Sequence, residues 1–377
     1  MLKKTFLFLS FLFSVVTFSQ MAPLSENAKI SVLTCGNGEE LYTTFGHTAI
    51  RIQDLSNSLD VVFNYGMFDF REGNFYLKFV KGDLQYYVAA SSYDQFLYEY
   101  QVEKREVIEQ TLNLSQQQKQ NLLELLTTSL YSEEKYYTYK FIDKNCTTMV
   151  VDKLNTVLGD TNQIKKSSNT DVTYRETLYP YFENYFWYKL GINIIFGQRV
   201  DDRATQLFLP IELLNSLNKI SIDGKPLVAS NETVVQAEQP KFVFNFFNSI
   251  YFISSILLVI ILINKRFLFN IYMILLGILG VFFIWVGSYS LHKELLLNYN
   301  ALLFNPIFLL IPFIKNGRIL KGLLLASFGM LLIYLLMMLS KPHLNLVLPF
   351  MLTAVYILVK KWIQQKSLLS SVKNDRT

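Results

Sequence analysis

Two long uncharged apolar runs in the last third of the chain restrict its folding more than any other feature. Residues 242–264 and 267–291 contain no charged side chain. At about 1.5 Å per helical residue, each run can cross the roughly 30 Å hydrocarbon core of a bilayer. Three more apolar runs follow, at 301–314, 322–340 and 344–359. We therefore predict a membrane domain at 241–362 with about five helices. Because Pro306 and Pro312 interrupt 301–314, this run is expected to be broken or re-entrant.

Charge divides the chain into two parts. Residues 241–377 hold 13 of the 35 basic residues and only 2 of the 30 acidic ones, whereas residues 1–240 are acidic overall. The basic residues concentrate in alternate connections and in the tail: Lys265, Arg266, Lys315, Arg318, Lys321, Lys360, Lys361, Lys366, Lys373 and Arg376. By the positive-inside rule, these connections and a tail at 363–377 are cytoplasmic. This predicts a multi-pass protein of the bacterial inner membrane with its N-terminal domain in the periplasm.

The N-terminal end carries an export signature. Lys3 and Lys4 precede an apolar stretch at 5–16 and a polar end at 17–20, which is typical of a secretory signal peptide. We predict a signal peptide at 1–20 and an exported domain at 21–240.

Composition excludes two classes of protein. A nucleic-acid partner needs a clustered basic surface on a folded domain, whereas here the basic residues lie between apolar runs. Two cysteines and three histidines stand at no zinc-ligand spacing, so we expect no metal and no cofactor.

Strand patterns open the exported domain, and helical patterns follow, which predicts the α+β class. A strand is expected at 29–34, and alternation at 47–52 with a second β-rich run at 61–65 predicts a hairpin. With a turn at 53–58, Ile52 pairs with Leu59 and His47 with Asn64.

Cys146 is predicted to lie in the first turn of a helix. After Asn145, apolar residues recur at helical spacing up to Gly159, which is suited to a helix C-terminus. The unpaired N–H groups and the positive dipole end of a helix N-terminus favour a thiolate over a thiol, as a nucleophilic cysteine requires.

The residues alone leave alternatives open. Cys146 and His47 suit a nucleophile and its base, but one sequence cannot show that they touch. The alternatives are a buried free cysteine, a Cys35–Cys146 disulfide, and a histidine with a structural hydrogen bond.

Several motifs in order are similar to the Lnb-type periplasmic domain family. They are 33–36 (LTCG), 45–49 (FGHTA), 63–70 (FNYGMFDF) and 145–148 (NCTT), and the likeness covers most of 28–215. Asn37 stands where proline is expected. With histidine first and Asn-Cys later, the order resembles papain-like permuted NlpC/P60 and lecithin:retinol acyltransferase-like thiol enzymes.

The resemblance implies a lipoprotein N-acyltransferase. Such an enzyme transfers a fatty acyl chain from a phospholipid, through a cysteine thioester, to the α-amino group of a diacylated lipoprotein. The membrane, the phospholipid donor and the lipoprotein acceptor are then the partners. Cys146 becomes the expected nucleophile and His47 the base, with Asn64 as the group that orients His47. Two rivals remain: a cell-wall cysteine amidase or peptidase, and a non-catalytic membrane-anchored binding protein.

Three further residues are candidates for substrate binding. Arg175 suits a lipid phosphate or a carbonyl, or else an ion pair with Glu176, Asp201 or Asp202. His292 and Asn300 are expected in an outward loop, where they could meet a lipid head group; the alternative is interfacial anchoring or hydrogen bonding within the loop.

Overall fold

The computed structural model describes residues 22–166, 171–237 and 242–374. The predicted signal peptide at 1–20 lies outside the described residues.

An antiparallel sheet forms the centre of the N-terminal domain. Its seven strands are arranged in the order β6-β4-β3-β2-β1-β5-β9. In chain order, the strands of the domain are β1 (Lys29–Cys35), β2 (His47–Asp54), β3 (Leu59–Met67), β4 (Gln85–Ser92), β5 (Val107–Leu112), β6 (Tyr136–Thr138), β7 (Ser221–Ile222), β8 (Lys225–Pro226) and β9 (Val228–Val235). Strands β7 and β8 form a separate small hairpin.

Helices cover both faces of this sheet. They are α1 (Phe75–Lys81), α2 (Tyr93–Val102), α3 (Gln116–Tyr131), α4 (Cys146–Leu158), α5 (Tyr174–Thr177), α6 (Phe186–Ile195) and α7 (Pro210–Leu217). Strand β1 alternates between the faces: Ile30 and Val32 pack with α3 and α4, whereas Leu33 and Cys35 pack with α2. The predicted α+β class is confirmed.

The β2–β3 hairpin forms as predicted, but its register differs by two residues. Asn64 pairs with Ala49 rather than His47, and Ile52 pairs with Val61 rather than Leu59. The cause is a shorter turn, since β2 continues to Asp54 and a single 3-10 turn at Leu55–Asn57 follows. The Asp54 carboxylate stabilises this turn by accepting hydrogen bonds from Asn57 and Ser25. A shift of two keeps every side chain on its predicted face of the sheet.

Four helices follow in the part of the C-terminal region that the structure describes, rather than the predicted five. They are α8 (Ile250–Ile263), α9 (Arg266–Tyr289), α10 (Gly317–Met338) and α11 (Leu344–Asn374). Helices α9, α10 and α11 are long and apolar enough to cross a membrane, and α8 is shorter. Helix α11 also continues through most of the predicted tail at 363–377.

The run at 301–314 passes along α9 without forming an α-helix. It contains 3-10 turns at Tyr299–Leu302 and Pro306–Leu309. Two glycines of α9 allow this close approach: a Cβ on Gly280 would lie 1.6 Å from the Phe304 carbonyl oxygen, and one on Gly277 would lie 2.9 Å from the Leu309 nitrogen. Phe304 and Phe308 are buried in the bundle. The expectation of a broken segment is met by this irregular crossing.

The connections between helices lie at two opposite ends of the bundle. Lys341, between α10 and α11, donates a hydrogen bond to Asp201 of the N-terminal domain, 2.6 Å away. Lys361 donates to Asn270, near the start of α9, at 2.9 Å, and Gln365 donates to the carbonyl of Gly317. The start of α10 and the end of α11 are therefore together at the end of the bundle where α9 begins.

Substituting Gly280 with alanine should destabilise the bundle. Because the added methyl group meets the Phe304 backbone, we expect a loss of about 1–3 kcal/mol from overpacking. The check is thermal unfolding of the detergent-solubilised chain. Gly329→Ala is the matched control, because Gly329 lies on α10 with open space around its Cβ position. Equal melting temperatures for the two variants would contradict this packing.

Candidate active site

Cys146 is the first residue of α4, as the sequence predicts. Asn145 caps this helix: its side chain accepts a hydrogen bond from the Thr148 N–H at 3.0 Å, and Thr148 Oγ1 accepts one from the Asn145 N–H at 2.8 Å. The Asn145 amide nitrogen also donates to the carbonyl oxygens of Phe141 and Phe208, at 2.8 and 2.9 Å. Asn145 therefore ties the start of α4 to the chain at Phe141 and to the chain at Phe208.

His47 is the first residue of β2, and a glycine determines how the strand begins. Gly46 has φ +79°, and a Cβ there would lie 2.4 Å from the Cys35 carbonyl oxygen. A side chain at this position would force β1 away from β2. One residue further on, the Thr48 hydroxyl lies 3.0 Å from that of Thr147 in α4. This buried contact holds the start of β2 against the start of α4.

The structure brings Cys146, His47 and Asn64 together. The His47 imidazole and the Cys146 thiol line the same cavity, and His47 lowers the pKa of the thiol. His47 Nε2 also lies 3.3 Å from Asn64 Oδ1. Since Asn64 pairs with Ala49, this contact runs diagonally across the hairpin, within the reach of side chains on one face. The contact predicted from the sequence therefore forms despite the different register.

The surroundings of Cys146 favour its thiolate. Burial by itself raises the pKa of the Cys146 thiol, but the charge and hydrogen bond of His47 oppose this effect, and so do hydrogen bonds from the Thr48 backbone and the Thr147 hydroxyl. On balance the pKa of Cys146 is lowered. A lower pKa places more of the reactive thiolate at neutral pH.

Gly66 lets β3 pass directly beside Cys146. The β3–β4 pairing shifts between Asn64 and Met67, and Gly66 within this bulge has φ +92°. A Cβ at Gly66 would lie 3.3 Å from the Cys146 Cβ. Bulges of this kind redirect a strand next to a functional site.

An aromatic cavity of about 480 Å³ opens at Cys146 and His47. Its aromatic lining is formed by Tyr42, Phe45, Phe68, Phe70, Phe75, Tyr76, Phe79, Tyr86, Tyr139 and Phe208. Half of these belong to the segment from the end of β3 through α1. The volume lies in the range of small-molecule sites, and the lining suits a hydrocarbon chain. Among the residues that the structure describes, no cluster of His, Cys, Asp or Glu is arranged to hold a metal ion.

Cys35 is a free, buried cysteine, and so the structure does not support the Cys35–Cys146 disulfide. It packs on the α2 face of the sheet. Burial raises the pKa of the Cys35 thiol to about 12. The two cysteines therefore differ sharply in their readiness to form a thiolate.

Arg175 takes the ion-pair alternative rather than a position open to substrate. Only 1% of its side chain is exposed, and its Nε donates to Asp201 Oδ1 at 2.6 Å. The remaining guanidinium nitrogens donate to Asn193 Oδ1 and the Tyr299 hydroxyl. Tyr299 and Lys341 also bond to Asp201, so these groups form one network between the domain and the membrane bundle. Burial alone would raise the pKa of the Asp201 carboxyl, but Arg175 and Lys341 lower it on balance.

His292 and Asn300 are buried too, and neither is open to a lipid head group. His292 Nε2 lies 2.9 Å from the carbonyl oxygen of Phe79 in α1. The Asn300 amide nitrogen donates to the carbonyl of Asn193 in α6, and its oxygen accepts from Tyr334 in α10. Both side chains therefore connect the loop to other elements of the fold, and these bonds reach outside the loop.

Sequence reasoning missed the cavity and the role of Gly66. In the sequence, the segment 63–70 is recognised only as a motif, although its glycine and its clustered aromatic residues are plain to see. The aromatic spacing between 68 and 79 fits neither a regular strand nor a long helix, and this irregularity was the available signal.

Replacing Arg175 should weaken the fold rather than only the chemistry. Arg175→Gln leaves the Asp201 carboxylate without its main partner, and breaking a buried pair costs about 3–5 kcal/mol. Thermal unfolding of the full chain measures this loss. Arg203→Gln is the matched control, since the Arg203–Asp171 pair is exposed. A stable Arg175 variant with reduced activity would instead indicate contact with substrate.

The two cysteines should react differently with iodoacetamide. At pH 7 we expect alkylation at Cys146 and none at Cys35 in the folded chain, as read by peptide mass spectrometry. A lowered pKa keeps the thiolate present to lower pH, so Cys146 should stay reactive below the pH at which an ordinary cysteine does. His47→Ala removes the opposing charge, raises the pKa and should slow alkylation at pH 7. An unchanged rate would contradict the contact between these side chains.

Comparison with known families identifies the N-terminal domain. The family model described as the Lnb N-terminal periplasmic domain matches residues 21–179, a range that includes His47, Asn64 and Cys146. No curated protein matches the chain. No solved structure matches it either. The similarity to the Lnb family therefore rests on residues 21–179 of the N-terminal domain.

Proposed function

We propose that the protein is a lipoprotein N-acyltransferase with Cys146 as its nucleophile. The observation that carries the proposal is the grouping of Cys146, His47 and Asn64 at an aromatic cavity, where His47 lowers the pKa of the thiol and bonds to Asn64. A nucleophile next to a base, with a third group that orients the base, is the arrangement of covalent acyl transfer. The similarity to the Lnb family supports lipoproteins as substrates.

In the first half-reaction, the Cys146 thiolate attacks the carbonyl carbon of a phospholipid ester. The ester C–O bond breaks, and protonated His47 gives its proton to the departing lyso-phospholipid alkoxide. The product on the protein is a thioester, with the acyl chain in the aromatic cavity. Thr148 N–H is already used by the cap, so the N–H groups of Cys146 and Thr147 at the helix start are the donors for the tetrahedral oxyanion.

In the second half-reaction, the α-amino group of diacylglyceryl-cysteine attacks the thioester carbonyl. His47 accepts the proton that the amine loses, the C–S bond breaks, and the Cys146 thiolate forms again. The products are an amide on the lipoprotein and the starting enzyme. Asn64 holds the His47 ring in place through Nε2, which leaves Nδ1 as the nitrogen for the sulfur and the reacting groups.

The aromatic lining supports transfer to an amine over hydrolysis. A thioester is exposed to water unless the site excludes it, and apolar walls reduce the water available at the carbonyl. The connection of the domain to a membrane bundle supports lipid-borne substrates, because confinement to one bilayer raises their effective concentration.

The test uses the purified full chain in phosphatidylcholine vesicles. We expect mass spectrometry to find one acyl group on Cys146, removable by hydroxylamine, and its transfer to a synthetic diacylated lipopeptide. Cys146→Ser should abolish the adduct, and His47→Ala should lower its rate by roughly 10²- to 10⁴-fold. Cys35→Ala is the control and should keep the activity.

Two results would contradict the proposal. Cleavage of murein peptides without acyl transfer would indicate a cell-wall amidase or peptidase. Normal triacylation of lipoproteins in cells that carry only Cys146→Ser and His47→Ala variants would indicate a non-catalytic binding protein.

A further inference from the structure

The cavity at Cys146 opens between exposed apolar side chains. Leu41, Tyr42, Phe70, Tyr76 and Leu77 are each at least half exposed, and we call them the apolar rim. Four of the five line the mouth of the cavity, and Leu77 lies next to Tyr76 on α1. Large apolar side chains grouped in this way on a surface mark a site of interaction.

The rim is attached to the end of a membrane helix. Three consecutive residues that follow α9 bond to three consecutive carbonyls at the end of α1. The Ser290 hydroxyl donates to Val80 and the Leu291 N–H to Lys81, both at 2.7 Å, and His292 Nε2 lies 2.9 Å from the Phe79 oxygen. Gly82 permits this approach, since its Cβ would lie 2.9 Å from the His292 nitrogen.

Helix length sets the depth of this attachment. Helix α9 has 24 residues, and at about 1.5 Å per residue it slightly exceeds the roughly 30 Å of hydrocarbon. Its end at Tyr289 therefore lies near the bilayer surface. Trp285 is half exposed and stacks on Tyr289, and such aromatic pairs are typical of the interface between lipid and water.

A second contact between the N-terminal domain and the bundle lies at the same bilayer surface. The Trp187 indole N–H of α6 donates to the carbonyl of Phe247 at 3.0 Å, just before α8 begins. Exposed aromatic side chains surround this point at the start of α8. The domain thus meets the outward ends of both α8 and α9, and α1 lies at the level of these ends.

We infer that the apolar rim inserts into the outward leaflet of the bilayer, so that the acyl chain of a membrane phospholipid enters the cavity directly from the leaflet. Insertion follows from the attachment of α1 and from the exposed apolar side chains. The role of the entering lipid as acyl donor rests on the proposed function. The occupant of this surface is therefore the hydrocarbon of the bilayer itself.

Fluorescence quenching tests the insertion without any need for activity. Leu77→Trp adds an indole at the rim of the full chain, reconstituted in phosphatidylcholine vesicles with or without bromine on the acyl chains. Leu55→Trp is the matched control: Leu55 is also exposed, but it follows the end of β2 opposite to His47, roughly 23 Å away along the strand. After subtraction of the wild-type signal, bromine should quench the added fluorescence of Leu77→Trp and not that of Leu55→Trp. Equal quenching, or none in either, would overturn the inference.

A rate ratio tests the entry route. For each variant, the acylation rate of Cys146 from vesicle phospholipid is divided by its rate from a water-soluble p-nitrophenyl butyrate. Leu77→Asp should lower this ratio roughly tenfold or more, since burial of one leucine in lipid is worth at least that factor. Leu55→Asp should leave the ratio unchanged. An unchanged ratio in Leu77→Asp would overturn the entry route. Failure of the wild-type chain with both esters would instead refute the proposed function, and the quenching result would still decide on insertion.

Discussion

The geometry of the site depends on the capped start of α4. Asn145 accepts from the Thr148 N–H with its oxygen, and its nitrogen donates to the carbonyl of Phe141, just before it in the chain, and to that of the distant Phe208. Each bond satisfies a backbone group that a helix terminus or a loop would otherwise leave unpaired. Cys146 follows immediately and therefore has little freedom of position. Asn145 is thus a positioning residue for the Cys146 side chain that follows it.

A buried polar network joins the N-terminal domain to the membrane bundle. Asp201 is its centre, because it accepts from Arg175, Tyr299 and Lys341 at once. Arg175 comes from the domain, whereas Tyr299 and Lys341 come from the connections of the bundle. Buried charges tolerate neither misalignment nor the loss of a partner, so this network favours one orientation of the domain over others. The orientation in turn decides where α1 and the cavity lie relative to the bilayer.

The sequence was sufficient wherever the determining contacts are local. The start of α4 and its cysteine could be predicted because the cap lies within four residues, at 145–148. The β2–β3 register could not be predicted, because the turn depends on a bond between Asp54 and Ser25, which are 29 residues apart. Likewise, Arg175 carried two interpretations, and only the position of Asp201 in the fold decides between them.

Hydropathy predicts the long helices of the membrane domain but not the conformation of the run at 301–314. Hydropathy located α9, α10 and α11, since a lipid-exposed helix must be apolar along its length. It also marked 301–314 as apolar, but it could not show that two glycines of α9 let this run approach as irregular backbone. The sequence shows the two glycines, but it does not show that Phe304 and Leu309 pack against them.

The irregular crossing beside α9 also has a consequence for biogenesis. Backbone without a regular helical ladder is stable at membrane depth only when protein surrounds it. The run at 301–314 therefore has no stable state in lipid before Gly277 and Gly280 offer it a surface. Stable insertion of this run thus requires α9 to be in place first.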